Sequence, residues 1–250
     1  MEKSKTIIFR TSAILGKIIF WIFSVIAIFI LSLAFYMLIG AIQEKLFLPQ
    51  EYIMWLFKYP FSMLPLIYEV YIIFGFLYIF NKNIREAILW VISLKESFIK
   101  RHKMFILISF IVTNIVLIYA IFYNVTVITN NKIINYTFLS PHGKEYGYND
   151  ILKIDAGVYG KKINSNRYPH YSKGDFYYII QLNDGTKIHL TDVGGTKNDE
   201  DERFIIEKLD IQYVKMGIPK VSSMDNFEFC TESLDKIYTD KIRNILLNIK

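Results

Sequence analysis

The stretch of sequence that decides the fold is residues 18–42, IIFWIFSVIAIFILSLAFYMLIGAI, which run for 25 residues without a charge. A helix that crosses a bilayer needs about 20 apolar residues, because each residue advances about 1.5 Å through a hydrocarbon core of roughly 30 Å. Residues 61–80, where Glu69 is the only charge, and residues 104–123, which have none, meet the same requirement. The first run is also much longer than the roughly 7–15 apolar residues of a cleaved signal peptide. The sequence therefore predicts three transmembrane helices.

Composition agrees with a membrane protein that also carries a polar domain. The chain has 250 residues, of which 53% are hydrophobic and 21% are charged, so it is more apolar than an ordinary soluble domain. Its net charge of +6 comes from residues 1–123, which hold 12 basic and 6 acidic residues, whereas residues 124–250 hold 17 of each. The basic excess therefore belongs to the membrane half, and nucleic acid is not an expected partner.

Two shorter apolar stretches are predicted to lie at the membrane surface. Residues 84–99 have apolar side chains near helical spacing between charged ones, which is typical of an amphipathic helix in the interface. Residues 52–57, YIMWLF, are too short to cross a bilayer. Trp55 and Trp90 suit this location, because indole rings favour the headgroup level.

Basic residues next to the spans predict the orientation in the cell membrane. Lys and Arg concentrate on the cytoplasmic side of membrane proteins. The N-terminal segment and the loop between the second and third spans together carry ten basic residues, against three on the opposite side. The ten are Lys3, Lys5, Arg10, Lys17, Lys82, Arg85, Lys95, Lys100, Arg101 and Lys103. This count places the N-terminus in the cytoplasm and residues 124–250 on the extracytoplasmic side of a multi-pass protein.

Glu69 is the one ionisable residue within the predicted spans. A carboxylate at that depth is costly, so it is a candidate for function. Asn114 of the third span lies at a comparable depth if the two helices are antiparallel. Two readings stay open: Glu69 hydrogen-bonds Asn114 and joins two helices, or it lines an ion or proton path in a small oligomeric transporter or channel.

Residues 124–250 change to the pattern of an α+β domain. Asn183-Asp184-Gly185 between two apolar runs is a strong signal for a β-hairpin, and residues 140–143 (SPHG) indicate another turn. Acidic residues from Asp199 begin a predicted helix over 199–216, which Gly217 and Pro219 end. A second, amphipathic helix is predicted over 231–249, and packing onto the sheet or lying on a membrane or partner are both open to it.

Part of this domain resembles a known family. The segment Tyr148-Asn149-Asp150-Ile151 and the Asp-Gly hairpin resemble the bacterial pleckstrin-homology-like domains, over about residues 125–216. The resemblance implies a bent antiparallel sheet capped by one helix, with no shared catalytic residues. Such domains follow transmembrane helices in many small Gram-positive membrane proteins, and some accompany bacteriocin self-immunity. They are commonly cytoplasmic, which is opposite to the side that the basic residues indicate.

A basic loop is the predicted binding surface of the domain. Cations interleaved with aromatic residues suit a lipid headgroup or an acidic polymer, although a solvated loop has the same composition. The candidate ligand-binding residues are Lys161, Lys162, Arg167, Tyr168, His170, Tyr171 and Lys173.

No pattern for catalysis or metal binding is found in the sequence. Cys230 is the only cysteine, and the four histidines lack the spacing of metal ligands. We therefore expect no enzyme activity, no cofactor and no metal. The predicted function is a membrane-tethered binding module for a protein, lipid or peptide, with immunity to an antimicrobial peptide as one version. The expected partners are the bilayer, a protein or peptide, and a second copy of the chain.

Overall fold

The computed structural model describes residues 2–160 and 171–249. The chain divides into two compact units. The helical unit contains residues up to 42 and residues 63–117, and the sheet unit contains residues 43–62 and those from 118 onward. The prediction placed all residues before 124 in the membrane half. In the structure, residues 43–62 and 118–123 belong instead to the sheet unit.

Residues 2–122 contain five α-helices, of which the first and the last extend from the helical unit into the sheet unit. These are α1 (Glu2–Phe47), α2 (Pro65–Phe80), α3 (Lys82–Leu94), α4 (Glu96–Arg101) and α5 (Lys103–Phe122). Three segments in the described part of the chain are long and apolar enough to cross a membrane, namely Ile19–Phe47, Phe61–Phe80 and Lys103–Phe122. The prediction of three apolar helices is confirmed. Their large apolar side chains are mostly exposed, as for Phe105 at 72%, which suits contact with lipid rather than with a protein core.

The predicted surface helix over residues 84–99 is two helices. α3 begins after Asn81, whose side chain accepts a hydrogen bond from the Ile84 backbone N–H at 3.2 Å. The chain breaks its helical path at Lys95, and α4 follows. Trp90 is exposed on α3. The location of these helices at a membrane surface stays a prediction.

Within residues 43–62, 118–160 and 171–249, the sheet unit has two sheets and three further α-helices. The strands are β1 (Tyr52–Phe57), β2 (Val125–Thr129), β3 (Lys132–Thr137), β4 (Ser140–Gly147), β5 (Ile151–Val158), β6 (Phe176–Leu182), β7 (Lys187–His189), β8 (Gly194–Thr196) and β9 (Lys220–Ser222). The helices are α6 (Glu202–Lys215), α7 (Phe227–Thr231) and α8 (Lys236–Leu247). One sheet has the order β4-β3-β2-β1-β8 and the other β7-β6-β5-β9.

The first loop contributes a strand to the interior of the five-stranded sheet. β1 pairs antiparallel with β2 on one side and with β8 on the other. Leu56 lies opposite both Thr126 and Gly194, and its side chain is only 1% exposed. A Cβ on Gly194 would lie 2.0 Å from the Trp55 carbonyl oxygen, so only glycine allows β8 to approach β1 this closely. Residues 52–57 are therefore a paired strand of the sheet, and the location of Trp55 at a membrane surface stays a prediction.

Turns in the sheet unit follow the prediction only in part. The hairpin at Asp184-Gly185 is confirmed, with Gly185 at φ +85° as the turn requires. The turn predicted at residues 140–143 is instead part of β4, and the chain reverses at Phe138-Leu139. β9 pairs parallel with β5, so the second sheet is not wholly antiparallel as the resemblance implied.

The helices of the sheet unit cover its apolar core. α6 begins at Glu202 rather than at Asp199, because Asp201 is its N-cap and accepts from the Arg203 backbone N–H. Gly217 follows the helix at φ +82°, as predicted for a C-terminal cap. The helix predicted over residues 231–249 is shorter, because α8 runs from Lys236 to Leu247. It buries Ile242, Ile245 and Leu246 in the core and leaves Ile237 exposed.

Candidate functional site

The predicted basic loop is only partly within the described structure. Lys161, Lys162, Arg167, Tyr168 and His170 lie outside the described residues, and their binding of an anionic group stays a prediction. Lys173 places its Nζ 3.4 Å from the centre of the Phe229 ring, which is a cation–π contact with α7. Tyr171 is the other described member of the loop, and it enters an aromatic and polar cluster.

Tyr171 lies in a stack of rings beside the second sheet. Its ring stacks on Tyr159 with a centroid distance of 4.7 Å and on His189 with one of 5.9 Å. Tyr177 extends the group at 4.6 Å from Tyr159. His189 alternates with buried Ile188 and Leu190, and its ring is half-buried against Tyr171.

Hydrogen bonds join Tyr171 to His189 and Asp192. The Tyr171 hydroxyl lies 3.1 Å from Oδ1 of Asp192 and 3.0 Å from Nδ1 of His189. The hydroxyl donates to the Asp192 carboxylate, and the direction of its hydrogen bond with Nδ1 of His189 is set by the tautomer of the imidazole. Burial, followed by the Asp192 charge, raises the pKa of Tyr171 far above its ordinary value, so this hydroxyl stays neutral.

A cavity of about 320 Å³ lies between β1, β8 and the start of α6. Five carboxylates line it, and Arg203 is its only lining cation within the described residues. They are Asp192, Asp199, Glu200, Asp201 and Glu202. Two of them form ion pairs, Glu200 with Lys208 at 2.7 Å and Asp201 with Arg203 at 2.8 Å. The electrostatic character of this cavity is therefore acidic.

Glu202 occupies a special position among these carboxylates. Together with Arg203 it also lines a second cavity of about 240 Å³, whose wall includes Tyr171. Burial raises the pKa of Glu202, Arg203 partly offsets this, and the Asp201 and Asp192 charges raise it further. Arg203 directs its guanidinium to Asp201 rather than to Glu202. Glu202 is thus a partly buried carboxylate, and a cationic group in the cavity would stabilise its charge.

A second group of polar residues is buried where β1 ends. The Lys58 Nζ donates to the Asn135 side-chain oxygen at 2.6 Å and to the Tyr136 carbonyl at 2.7 Å. Asn135 also accepts from the Thr126 hydroxyl at 3.1 Å. Burial lowers the pKa of Lys58 to about 8, although the Asp192 charge opposes the change.

We expect the stability of the sheet unit to rise with pH between about 8 and about 10 because of Lys58. In that window the unfolded chain, with an ordinary lysine pKa near 10.4, binds more protons than the folded protein. Below pH 8 the lysine is protonated in both states and the cost of burying its charge is fully present. Urea unfolding at pH 7 and pH 9.5 should show a gain of up to about 2 kcal/mol that Lys58→Met removes.

The control for this experiment is Lys187→Met, which removes an exposed lysine of β7. This variant should keep the full pH dependence of the wild-type protein. An equal rise of stability in the wild-type and Lys58→Met proteins would contradict the role of Lys58.

The polar pair predicted within the membrane is arranged differently from the expectation. Asn114 accepts a hydrogen bond from the Tyr68 hydroxyl at 3.2 Å and donates to the Phe110 carbonyl at 2.8 Å. The helix-joining contact is therefore made by Tyr68, the residue before Glu69. An ion or proton path through Glu69 stays a prediction, which the effect of Glu69→Gln on flux in reconstituted vesicles would test.

The Cys230 thiol and possible metal ligands are the remaining groups of the described chain that could be reactive. Cys230 is buried and donates its S–H to the Gly174 carbonyl at 2.9 Å, and burial raises its pKa to about 11. Within residues 2–160 and 171–249, no group of three or more His, Cys, Asp or Glu side chains is placed to hold a metal ion. These observations identify the acidic cavity and the Tyr171 cluster as the polar features of the sheet unit open to a ligand.

Comparison of the chain with protein-family models, with curated proteins and with solved structures gives no match. The class of the protein is therefore defined by its structure. It combines a helical part, with three helices long and apolar enough to cross a membrane, and an α+β part. Sequence reasoning missed Asp192, Glu202 and Arg203 as cavity residues, because they meet Trp55 and Leu56 only through the pairing of β1 with β8.

Proposed function

We propose that this protein is a membrane-anchored binding module that presents its sheet unit to a protein or peptide at the membrane surface. The observation that carries the proposal is the position of β1 inside the five-stranded sheet. Four residues join α1 to β1, seven join β1 to α2, and two join α5 to β2. Three short connections to apolar helices restrict how far the sheet unit can move from the bilayer.

The pairing of β1 with β2 also supports the proposed number of spans. Strands in one sheet lie on one side of a membrane, so the chain between Phe57 and Val125 crosses it an even number of times. α2 and α5 supply two crossings. With α1 as a third, the N-terminus and the sheet unit lie on opposite sides, and the basic residues favour a cytoplasmic N-terminus.

The orientation can be tested by labelling intact cells with a membrane-impermeant maleimide. In a Cys230→Ala background, a cysteine at exposed Asn183 of the sheet unit should react, and one at exposed Ser93 between the second and third spans should not. The reverse pattern would place the sheet unit in the cytoplasm, the side that the pleckstrin-homology-like resemblance favours. Equal labelling at both positions would contradict three spans.

The resemblance to pleckstrin-homology-like domains remains part of the proposal. The antiparallel strands β5, β6 and β7, followed by α6, support it. β1, β9 and α8 are additions to that pattern. Some such domains accompany immunity to bacteriocins, which are peptides that act on membranes. This role suggests a membrane-active peptide as the ligand.

The acidic cavity favours a cationic peptide as the ligand. A lysine or arginine side chain that enters it would meet Glu202, whose negative charge is otherwise destabilised by burial. The cavity lies beside β1, the strand that connects directly to two of the three apolar helices. A membrane-active cationic peptide would therefore be held next to the bilayer that it attacks.

We expect Glu202→Gln to weaken binding of such a peptide to the full-length protein. The probe is a fluorescent amphipathic peptide of lysine and leucine, titrated against the protein in phosphatidylcholine nanodiscs, which carry no net charge. Loss of one partly desolvated charge contact of about 1 kcal/mol or more corresponds to a Kd raised about fivefold or more. Glu232→Gln, on the exposed end of α7, is the matched control and should leave the Kd unchanged.

Two results would count against this function. Binding no stronger than to empty nanodiscs would exclude this class of ligand. Equal weakening by Glu202→Gln and Glu232→Gln would show a general charge effect rather than a site at the cavity.

A further inference from the structure

An apolar turn joins β3 to β4. The register pairs Thr137 with Ser140, so Phe138 and Leu139 form a two-residue tip. Turns of this kind ordinarily hold glycine, asparagine or aspartate, which suit both the backbone and water. Leu139 is 90% exposed, more than any other large apolar side chain within residues 19–93, 95–160 and 171–249. An apolar tip so open to its surroundings indicates that it contacts something other than water.

The tip lies against the end of α5. The Tyr119 hydroxyl donates to the Phe138 carbonyl at 3.4 Å, and the two rings meet edge to face with a centroid distance of 5.1 Å. Tyr119 is within the apolar segment Lys103–Phe122, three residues before its last residue. At the rise of a helix, this is about 4.5 Å inside the end of the segment. The hairpin tip thus lies alongside the last turn of the apolar helix and not beyond it.

Aromatic rings mark the same level of the sheet unit. Tyr123 stacks on Tyr119 with a centroid distance of 4.4 Å and meets Phe47 at 5.3 Å. Phe47 is the last residue of the apolar segment of α1, and it also contacts Tyr136 of β3 at 4.7 Å. Aromatic side chains at the ends of spans favour the headgroup region of a bilayer. Two helix ends and the β3–β4 hairpin therefore share one aromatic layer.

We propose that the Phe138-Leu139 tip is a membrane-insertion element that lies in the boundary between the lipid headgroups and the acyl chains. The occupant of this exposed apolar surface is the bilayer itself, because the tip contacts Tyr119 in the last turn of the apolar helix α5. The inference rests on the proposed function in one respect, namely that α5 crosses a bilayer. Three chain connections already join the sheet unit to apolar helices, and the inserted tip would add a non-covalent contact with the membrane. This contact would fix the orientation of β3 and β4 relative to the membrane.

Fluorescence quenching by brominated lipids tests the depth of the tip in the full-length protein. In a Cys230→Ala background, Leu139→Cys carries the fluorophore NBD, and the protein is reconstituted into phosphatidylcholine vesicles with bromine on the upper acyl carbons. Phe110→Cys, exposed in the middle of α5, is the control for a residue in lipid. Val221→Cys, exposed on β9 in the other sheet, is the control for a residue in water. Leu139 and Val221 are both surface positions, so neither label disturbs the core.

We expect quenching at position 139 to be at least half of that at position 110, and quenching at position 221 to be close to zero. Quenching at 110 without quenching at 139 would overturn the insertion of the tip and leave the membrane span intact. No quenching at either position would overturn the proposed membrane anchoring, and the insertion with it. Equal quenching at 139 and 221 would overturn the inference, because labels throughout the sheet unit would then reach lipid equally.

Discussion

Replacing Leu56 with aspartate is expected to prevent the sheet unit from folding. Leu56 takes part in the pairing of β1 with both neighbours, and its side chain is fully enclosed in the main apolar core. An ionised carboxylate in that place would lie in the apolar core, and its burial costs several kcal/mol. A domain of this size is stable by only about 5–15 kcal/mol in total, so the substitution removes most of it.

Limited proteolysis of the detergent-solubilised protein measures this effect. The wild-type sheet unit should resist trypsin under conditions that degrade the Leu56→Asp variant. Leu152→Asp introduces the same charge at an exposed position of β5 and should leave the protection unchanged. A protected fragment of wild-type size from the Leu56→Asp protein would show that β1 is not needed for the fold.

The same reasoning predicts the behaviour of truncated chains. A chain that starts at residue 124 lacks β1, so β2 and β8 lose their shared partner and Ile128 of the core is uncovered. Unpaired strand edges with apolar faces favour aggregation. Binding experiments on this protein therefore require the full chain or a form that retains residues 43–62, and loss of binding in a shorter chain would not identify a site.

Features that depend on local rules could be predicted from the sequence. The three apolar helices follow from run length, and the hairpin at Gly185 and the cap at Gly217 follow from the positive φ that each requires. β1 could not be predicted, because six apolar residues with a tryptophan are equally suited to an interface and to a buried strand. Its pairing with Val125–Thr129, some seventy residues further on, is what makes it a strand.

The candidate site was harder to predict than the fold. The acidic run from Asp199 was assigned to the first turn of a helix, but Asp199 adopts a φ of +55° and α6 begins three residues later. The run thereby lines a cavity whose other wall is Trp55 and Leu56. Likewise, successive residues of a helix point about 100° apart, so Tyr68 faces Asn114 where the sequence suggested Glu69. In each case, contacts between segments that are distant in the sequence determine which residues meet.

Replacing Asp210 with alanine is expected to destabilise the sheet unit by about 3–5 kcal/mol, because it breaks a buried ion pair. The Lys220 Nζ lies 2.6 Å from Oδ1 of Asp210, and the two side chains are only 2% and 1% exposed. The Tyr178 hydroxyl donates to Oδ1 at 2.8 Å, and the Asn248 amide donates to Oδ2 at 2.7 Å. The carboxylate thus joins α6 to β6, β9 and the end of α8. Burial of Lys220 already lowers its pKa, so its charge depends on this partner.

A second variant separates the loss of a charge partner from the loss of the network. In Asp210→Leu combined with Lys220→Met, no uncompensated charge remains, and buried ion pairs replaced by apolar residues are often close to neutral in stability. We expect this double variant to recover most of the stability lost in Asp210→Ala. Thermal unfolding should show a Tm lowered by about 10 °C or more for Asp210→Ala alone, from the usual relation between stability and Tm.

The matched control is Asp155→Ala, which removes one partner of the more exposed Lys153–Asp155 pair at 2.9 Å. Such surface pairs contribute about 0–1 kcal/mol, so the Tm should change little. A loss below about 1 kcal/mol for Asp210→Ala would mean that water reaches Lys220 when its partner is removed. In that case α8, which covers this pair through Asn248, would be loosely attached rather than an integral part of the core.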